Sequence, residues 1–323
     1  MKNFKKSSET NENPTPEIQN LPIGIFDSGV GGLTVYRALH ERLPNERFIY
    51  LGDTARVPYG TKSLATVERY AMENSQFLAS RGIKMLVVAC NTASALALPK
   101  IRERIGIETV GVIGPGARKA VELTEDRKNP KIGVIATEAT VTSRAYSKAI
   151  KKVSAAAEII ETACPLFVSL AEENWTQEPE TRSIARKYLR EIVAGKVDAL
   201  VLGCTHYPIL REVIQEIVGG KVTLIDSGEA TAEEVEKLLK VKNLMNRHPP
   251  HTSERRLCDD LDHFYVTDAA ERFARVAERF LGAKPAKLEA VEVYGRDRLG
   301  NGEWLMVNEE FDPINHSPFT IHH

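Results

Sequence analysis

The sequence predicts an α/β fold whose strands lie in open parallel sheets, in two similar halves. Three observations carry this. Short runs rich in Val and Ile alternate with longer amphipathic stretches; each run ends in a polar or glycine-containing turn; and the front of the chain rhymes with its middle.

In chain order the runs are "IGIF" (23–26), "RFIYLG" (47–52), "MLVVAC" (85–90), "TVGVIG" (109–114), "KIGVIAT" (131–137), "AEIIET" (157–162), "DALVLGC" (198–204) and "VTLIDS" (222–227). Their near-continuous apolar character is that of strands covered on both faces. Between them lie helical patterns. After Ser63, a side chain suited to capping, Leu64, Val67, Ala71 and Leu78 share one face until Arg81-Gly82 ends the helix. Residues 241–263 turn polar around Pro249-Pro250 and read as a loop. "FYVTDAAERFARVAERFLG" (264–282) then returns a strand and a helix, with apolar positions at 273, 276, 277, 280 and 281.

The rhyme pairs "IGIFDSG" with "IGVIATE", "LVVACNT" with "LVLGCTH", and "VGVIGPG" with "VTLIDSG", at nearly the same offset each time. The expected division is a disordered tail over 1–20, a first α/β domain over 21–117 plus about 229–285, a second over 118–228 and a tail over 286–323.

Composition narrows the function. The 323 residues carry a net charge of −1 with no Lys/Arg stripe, which argues against nucleic acid as a partner. Four cysteines (90, 164, 204 and 258) without a CxxC pair indicate a reduced, cytoplasmic setting. No run approaches the roughly 18 apolar residues a membrane span needs, and residues 1–20 lack the apolar stretch of a secretory signal.

Ligands of open parallel sheets sit outside the carboxyl ends of the strands. Four polar clusters fall there: "DSGVGG" (27–32), "VPYG" (57–60), "CNTA" (90–93) and "CTHYP" (204–208). The first lacks the G-x-G-x-x-G spacing, and Asp27 would place a negative charge beside a phosphate. A tight turn with Asp27 as cap, or a working carboxylate, are the readings left. A free cysteine at a strand end is often only a buried apolar residue. Two at matched positions of a repeated unit suggest more, each with hydroxyl or amide side chains and a helix start behind it (Asn91-Thr92, Thr205-His206), where free N–H groups favour a thiolate. Zinc lacks its CxxC or HExxH pattern. A thiol hydrolase would leave one cysteine without a task. Two thiols facing one small ligand suit proton transfer at carbon, one removing the proton and the other returning it on the opposite face.

The motifs "IFDSGVGGLTV", "GDTARVPYG", "VVACNTASA", "VLGCTHYPIL" and "LIDSGEA" resemble those of the glutamate racemase family, cofactor-independent isomerases supplying D-glutamate for peptidoglycan and hence cell-wall synthesis. The resemblance runs from about Pro22 to Leu239 and more loosely to Gly282. It implies two pseudo-symmetric, Rossmann-like, doubly wound domains with the active site between them, no cofactor or metal, and a homodimer. It also implies that Cys90 and Cys204 are the acid/base pair, one for each enantiomer. Asp27 assists Cys90, while His206 with Glu172 assists Cys204. Asp27, Ser28, Tyr59, Gly60, Asn91, Thr92, Thr205 and His206 line the glutamate site. Some members answer to a nucleotide-linked peptidoglycan precursor as activator. Ser169 stands where the family commonly has proline, and Gly114 where glutamate is common.

Arg56, beside Val57-Pro58-Tyr59, reads as an exposed loop arginine able to meet a carboxylate. The histidines other than His206, His40 among them, read as solvated, and Cys164 and Cys258 as structural. The alternatives are an aspartate racemase or a non-catalytic amino-acid-binding protein of the same fold.

Overall fold

The structure, a computed structural model, describes residues 14–246 and 255–293. The described chain through Val293 is one compact unit holding two parallel sheets. The first half runs α1 (Pro16–Gln19), β1 (Ile23–Asp27), α2 (Leu33–Arg42), β2 (Phe48–Gly52), α3 (Leu64–Ser80), β3 (Met85–Val88), α4 (Asn91–Leu96), α5 (Leu98–Ile105), β4 (Thr109–Gly111) and α6 (Ile113–Glu122). The second runs β5 (Lys131–Ala136), α7 (Glu138–Ser143), α8 (Ala145–Val153), β6 (Glu158–Ala163), α9 (Leu166–Glu172), α10 (Pro179–Gly195), β7 (Ala199–Gly203), α11 (Arg211–Val218), β8 (Thr223–Asp226) and α12 (Ser227–Val241). The chain then adds β9 (His263–Val266), α13 (Ala270–Leu281) and β10 (Leu288–Ala290).

The two sheets repeat one topology. Strand order is β10-β9-β2-β1-β3-β4 in the first and β6-β5-β7-β8 in the second, all parallel. In each, the chain leaves the first strand toward one edge and returns on its other side, so the strand order reverses between β1 and β3 and between β5 and β7. Loops diverge at such a switch point and open a crevice for ligands. Asp27 ends β1 and Cys90 follows β3; Thr137 and Cys204 follow β5 and β7.

Each apolar run of the sequence became a strand because it is buried on both sides. All five residues of β1 and of β7 are buried. Alternate side chains serve opposite faces: Ile23 and Ile25 join a core with Val35, Tyr36, Leu202 and Val235, whereas Phe26 packs with Val67, Leu78 and Val88. The first of these cores draws on both sheets, and α2 lies against α12. Ser63 caps α3 by accepting from Thr66 N, and the five apolar positions expected on α13 (Phe273, Val276, Ala277, Phe280 and Leu281) are all buried.

Several expectations need correction. Residues 16–19, assigned to a tail, form α1: Gln19 is buried, its Nε2 donates to the Asn243 carbonyl, and Lys84 Nζ donates to the Gln19 carbonyl. Likewise β10 lies inside the supposed 286–323 tail, because it completes the sheet edge beside β9. Residues 1–13, 247–254 and 294–323 lie outside the described residues. The expected strand at 109–114 stops at Gly111, and α6 runs through the boundary drawn at 117. Its Ile113, Ala117 and Ala120 pack with Ile132, Val134 and Ile150, so the helix follows the second sheet. Leu64 is exposed, since it precedes the turn that first meets the sheet. His40 is buried against Tyr36 and Phe48, 4.0 Å from Asp262. Among the described residues no helix is long and apolar enough to cross a membrane.

At the opposite end of β3 from Cys90, Lys84 is buried with Glu46. Its Nζ donates to Glu46 Oε2 at 2.5 Å and to the Leu244 carbonyl at 2.9 Å, and Glu46 Oε1 accepts from Asn246 N. Removing one member strands a buried charge. Lys84→Met should therefore lower unfolding free energy by about 3–5 kcal/mol in urea titration. Adding Glu46→Gln, which can still accept from Asn246, should recover part of that loss.

Candidate active site

The site grows from four strand ends. After β1 the chain turns through Asp27-Ser28-Gly29, and Asp27 Oδ2 accepts from Gly29 N at 2.9 Å. After β3, Cys90 caps α4: Ala93 N donates to its Sγ at 3.5 Å, and the thiol faces Ser28 Oγ at 3.4 Å. After β7 come Cys204, Thr205 and His206. The expected helix start behind Cys204 is instead a 3-10 turn over Tyr207–Leu210, with Pro208 in it, before α11 begins. Cys204 Sγ lies 3.8 Å from His206 Nδ1, and His206 Nε2 lies 3.1 Å from Glu172 Oε1. The Ser169 departure thus leaves Glu172 on His206.

The two halves meet through close contacts. Thr34 Oγ1 donates to the Thr205 carbonyl at 2.8 Å. A Cβ placed on Gly31 would stand 2.3 Å from Thr205 Oγ1 and 2.4 Å from His206 Nδ1, so only glycine permits this approach. Gly60 is likewise fitted against Thr137, whose Cβ would be 2.9 Å from an added one. Tyr146 OH donates to Asn91 Oδ1 at 2.7 Å, orienting that amide. Cys90 and Cys204 are 5% and 6% exposed, enclosed but not sealed.

Not every lining residue projects its side chain inward. The Tyr59 hydroxyl is committed to Asp53 and accepts from Asn74 Nδ2, so it can serve a ligand only through its backbone and its neighbour Gly60. Arg56 is no exposed loop arginine. It is half-buried, donating to both Asp53 oxygens and to Glu73 and Asn74, and stacking on Tyr70. These partners leave it braced beneath the Tyr59 loop. Thr137 and Thr140 escaped the sequence reading. Their hydroxyls form a triangle with Thr92, at 2.9, 3.3 and 3.0 Å. The available signal was the position of Thr137 in the rhyme, opposite Ser28.

Electrostatically the thiols differ. Burial pushes the Cys90 thiol up to about 12, and the nearby Asp27 carboxylate adds to this. Ser28 and Ala93 oppose the rise, and charge at Cys204 is felt as well. Burial also raises the Asp27 carboxyl, against the charge of His206 and the N–H groups of its own turn. On the other side, burial by itself would lower the His206 imidazole. Cys204 and Glu172 outweigh that and push it up to about 10. The site thus sets a carboxylate beside one sulfur and an imidazolium beside the other. Two buried atoms, Asp27 Oδ1 and Asn91 Nδ2, have no hydrogen-bond partner among the described residues: one acceptor, on a residue close to Cys90, and one donor, on the residue that follows it. Among the described residues no group of three or more His, Cys, Asp or Glu could hold a metal ion.

The chain is similar to known proteins over most of its length. A family model described as Asp/Glu/hydantoin racemase covers residues 23–235. The glutamate racemase of Geobacter metallireducens is 51% identical over 262 residues, 81% of this chain and 93% of that one. The solved glutamate racemase of Francisella tularensis in complex with D-glutamate superposes with a TM-score of 0.76 at 39% identity, covering 85% of this chain and 98% of its own. That of Escherichia coli, in complex with L-glutamate and the activator UDP-MurNAc-Ala, gives 0.66 at 30% identity over 85% of this chain and all of its own.

Two outcomes follow from this geometry. Gly31→Ala should lower turnover about 100-fold while leaving the fold intact, measured by racemisation assay and circular dichroism, because the side chain drives the halves apart by about an ångström. The His206 ring should keep its proton from the ordinary histidine range up to about pH 10, followed by ring-proton NMR. Glu172→Gln removes one of the two groups supporting the imidazolium, so its deprotonation should move to lower pH.

Proposed function

The chain belongs to the Asp/Glu/hydantoin racemase family, and from that premise we propose that this amino-acid racemase interconverts L- and D-glutamate by two-thiol proton transfer at the α-carbon. The observation that supports the reading is the placement of the two thiols: Cys90 and Cys204 stand at equivalent switch-point ends of like sheets, and Gly31 and Thr34 of one half lie against Thr205 and His206 of the other. The D-glutamate product would serve peptidoglycan synthesis, as the family's does.

In this mechanism one sulfur, as thiolate, takes the α-proton into a new S–H bond, and the C–H electron pair passes into the α-carboxylate as an enediolate-like charge. The opposite thiol returns a proton to the other face, leaving its own sulfur anionic. Atoms and charge balance, and the pair has exchanged protonation states. Cys90, held as a thiol by burial and Asp27, is suited to donate; Cys204 beside the His206 imidazolium is suited to accept. The mirror-image substrate uses them in reverse order. The unpartnered Asp27 Oδ1 accepts from the substrate ammonium, and the Asn91 Nδ2 donates to a carboxylate. The hydroxyls of Thr92, Thr137 and Thr140, with the backbone of Thr205, supply further donors without any arginine. Positioned donors of this kind stabilise charge that develops only in the transition state.

A homodimer is the expected assembly, as is a response to a nucleotide-linked muramyl precursor of the kind bound by the Escherichia coli relative. Sedimentation and an assay with added UDP-MurNAc-Ala check these two.

The principal test is racemisation of L- and D-glutamate in deuterated water, with aspartate run in parallel. Glutamate should lose its optical signal and gain deuterium at the α-carbon. No exchange, or exchange with aspartate alone, removes the reading. Cys90→Ser and Cys204→Ser should each lower turnover at least about a thousandfold in both directions, because every cycle uses both sulfurs.

A further inference from the structure

Resting on the glutamate racemase reading, we propose that Arg272 on α13 is a positioning residue for the reaction: it fixes Glu172, which in turn holds His206 against Cys204. Arg272 Nη2 donates to Glu172 Oε2 at 3.1 Å, while His206 Nε2 lies 3.1 Å from Oε1. Each carboxylate oxygen thus has its own partner, and the carboxylate plane is set from both sides. A carboxylate held only at Oε1 would be free to rotate away from the imidazole.

Two further residues of the same helix converge on this pair. Arg279 Nη1 donates at 3.1 Å to the carbonyl of Glu172, the last residue of α9, where the carbonyls lack helical partners and the helix dipole is negative. Phe280 stands edge-on to the His206 ring, with centroids 6.2 Å apart at 87°. Arg272 and Arg279 are seven residues, about two turns, apart and so share a face of the helix. Helix α13 follows β9 of the first sheet, whereas Glu172 and His206 follow β6 and β7 of the second, so the contact joins the two halves.

Exposure separates positioning from stabilisation. The Arg272 side chain is 60% exposed and Glu172 23%, so the pair contributes little to folding. What it contributes is orientation. Burial would raise the Glu172 carboxyl, but the His206 bond and the charges of His206 and Arg272 outweigh it and keep the carboxyl below the usual range, as a hydrogen-bond acceptor for the imidazolium.

The test compares Arg272→Gln, Arg272→Lys, Glu172→Gln and the Arg272→Gln/Glu172→Gln double variant, with Arg275→Gln as a control on the exposed face of the same helix, all in the full-length protein. Arg272→Gln should lower kcat on glutamate about tenfold with KM within about twofold and the urea midpoint unmoved. Arg272→Lys should recover most of the loss. Arg275→Gln should match the parent. In the Glu172→Gln background, Arg272→Gln should add nothing, since it acts only through that carboxylate. A kcat within twofold of the parent, losses that multiply in the double variant, or a lowered urea midpoint overturns the assignment. A parent inactive on both glutamate enantiomers instead removes the underlying functional reading. The coupling is then read by NMR: Arg272→Gln should move the His206 titration while Arg275→Gln leaves it in place, and a titration unmoved by Arg272→Gln rejects the assignment.

Discussion

The arrangement depends on how closely the Asp27–Gly32 turn approaches the Thr205-His206 segment. A methyl group on Gly31 would overlap both Thr205 and His206. With hydrogen there, the backbone of one half lies on the side chains of the other, and Thr34 reaches across to the Thr205 carbonyl. Gly60 against Thr137 and the Thr92–Thr137–Thr140 hydroxyls repeat the contact on the opposite rim. Cys90 and Cys204 each precede a residue of these contacts, Cys90 two before Thr92 and Cys204 one before Thr205.

Symmetry of backbone and asymmetry of charge work together in this site. Four strands of the first sheet, β2-β1-β3-β4, repeat the order of the second, β6-β5-β7-β8, which places Cys90 and Cys204 at corresponding ends. Their neighbours do not correspond. Cys90 sits under a buried carboxylate and Cys204 beside a buried imidazole whose proton is secured by Glu172. In the proposed two-thiol reaction, such unequal neighbours would give the two sulfurs different parts in each direction. A backbone repeat provides the opposed placement, and a handful of unlike side chains provides the poise.

How much was legible in advance follows from the range of the forces involved. The strands could be read because burial on both faces demands a local run of apolar residues, as in "LVVAC" and "ALVLG". The Ser63 cap could be read because it answers an N–H only three residues away. His40 and Arg56 differ from the local reading because their surroundings come from elsewhere in the chain. His40 meets Asp262, and Arg56 meets Glu73 and Asn74, partners a local pattern does not reveal. Thr137, Thr140 and Arg272 likewise meet partners 45 to 100 residues away, Thr92 for the first two and Glu172 for the last.

By itself the sequence determined the strand and helix pattern, the duplication and the two strand-end thiols, because each is written in residue types a few positions apart. The tertiary structure alone decided which side chains face which. It turned the Tyr59 hydroxyl away toward Asp53 and set Arg272 and Glu172, a hundred residues apart, within hydrogen-bonding distance. The physical reason is that hydrogen bonds and charge interactions act over a few ångströms of space, irrespective of separation along the chain. Only the folded packing of the two sheets brings those distances into being.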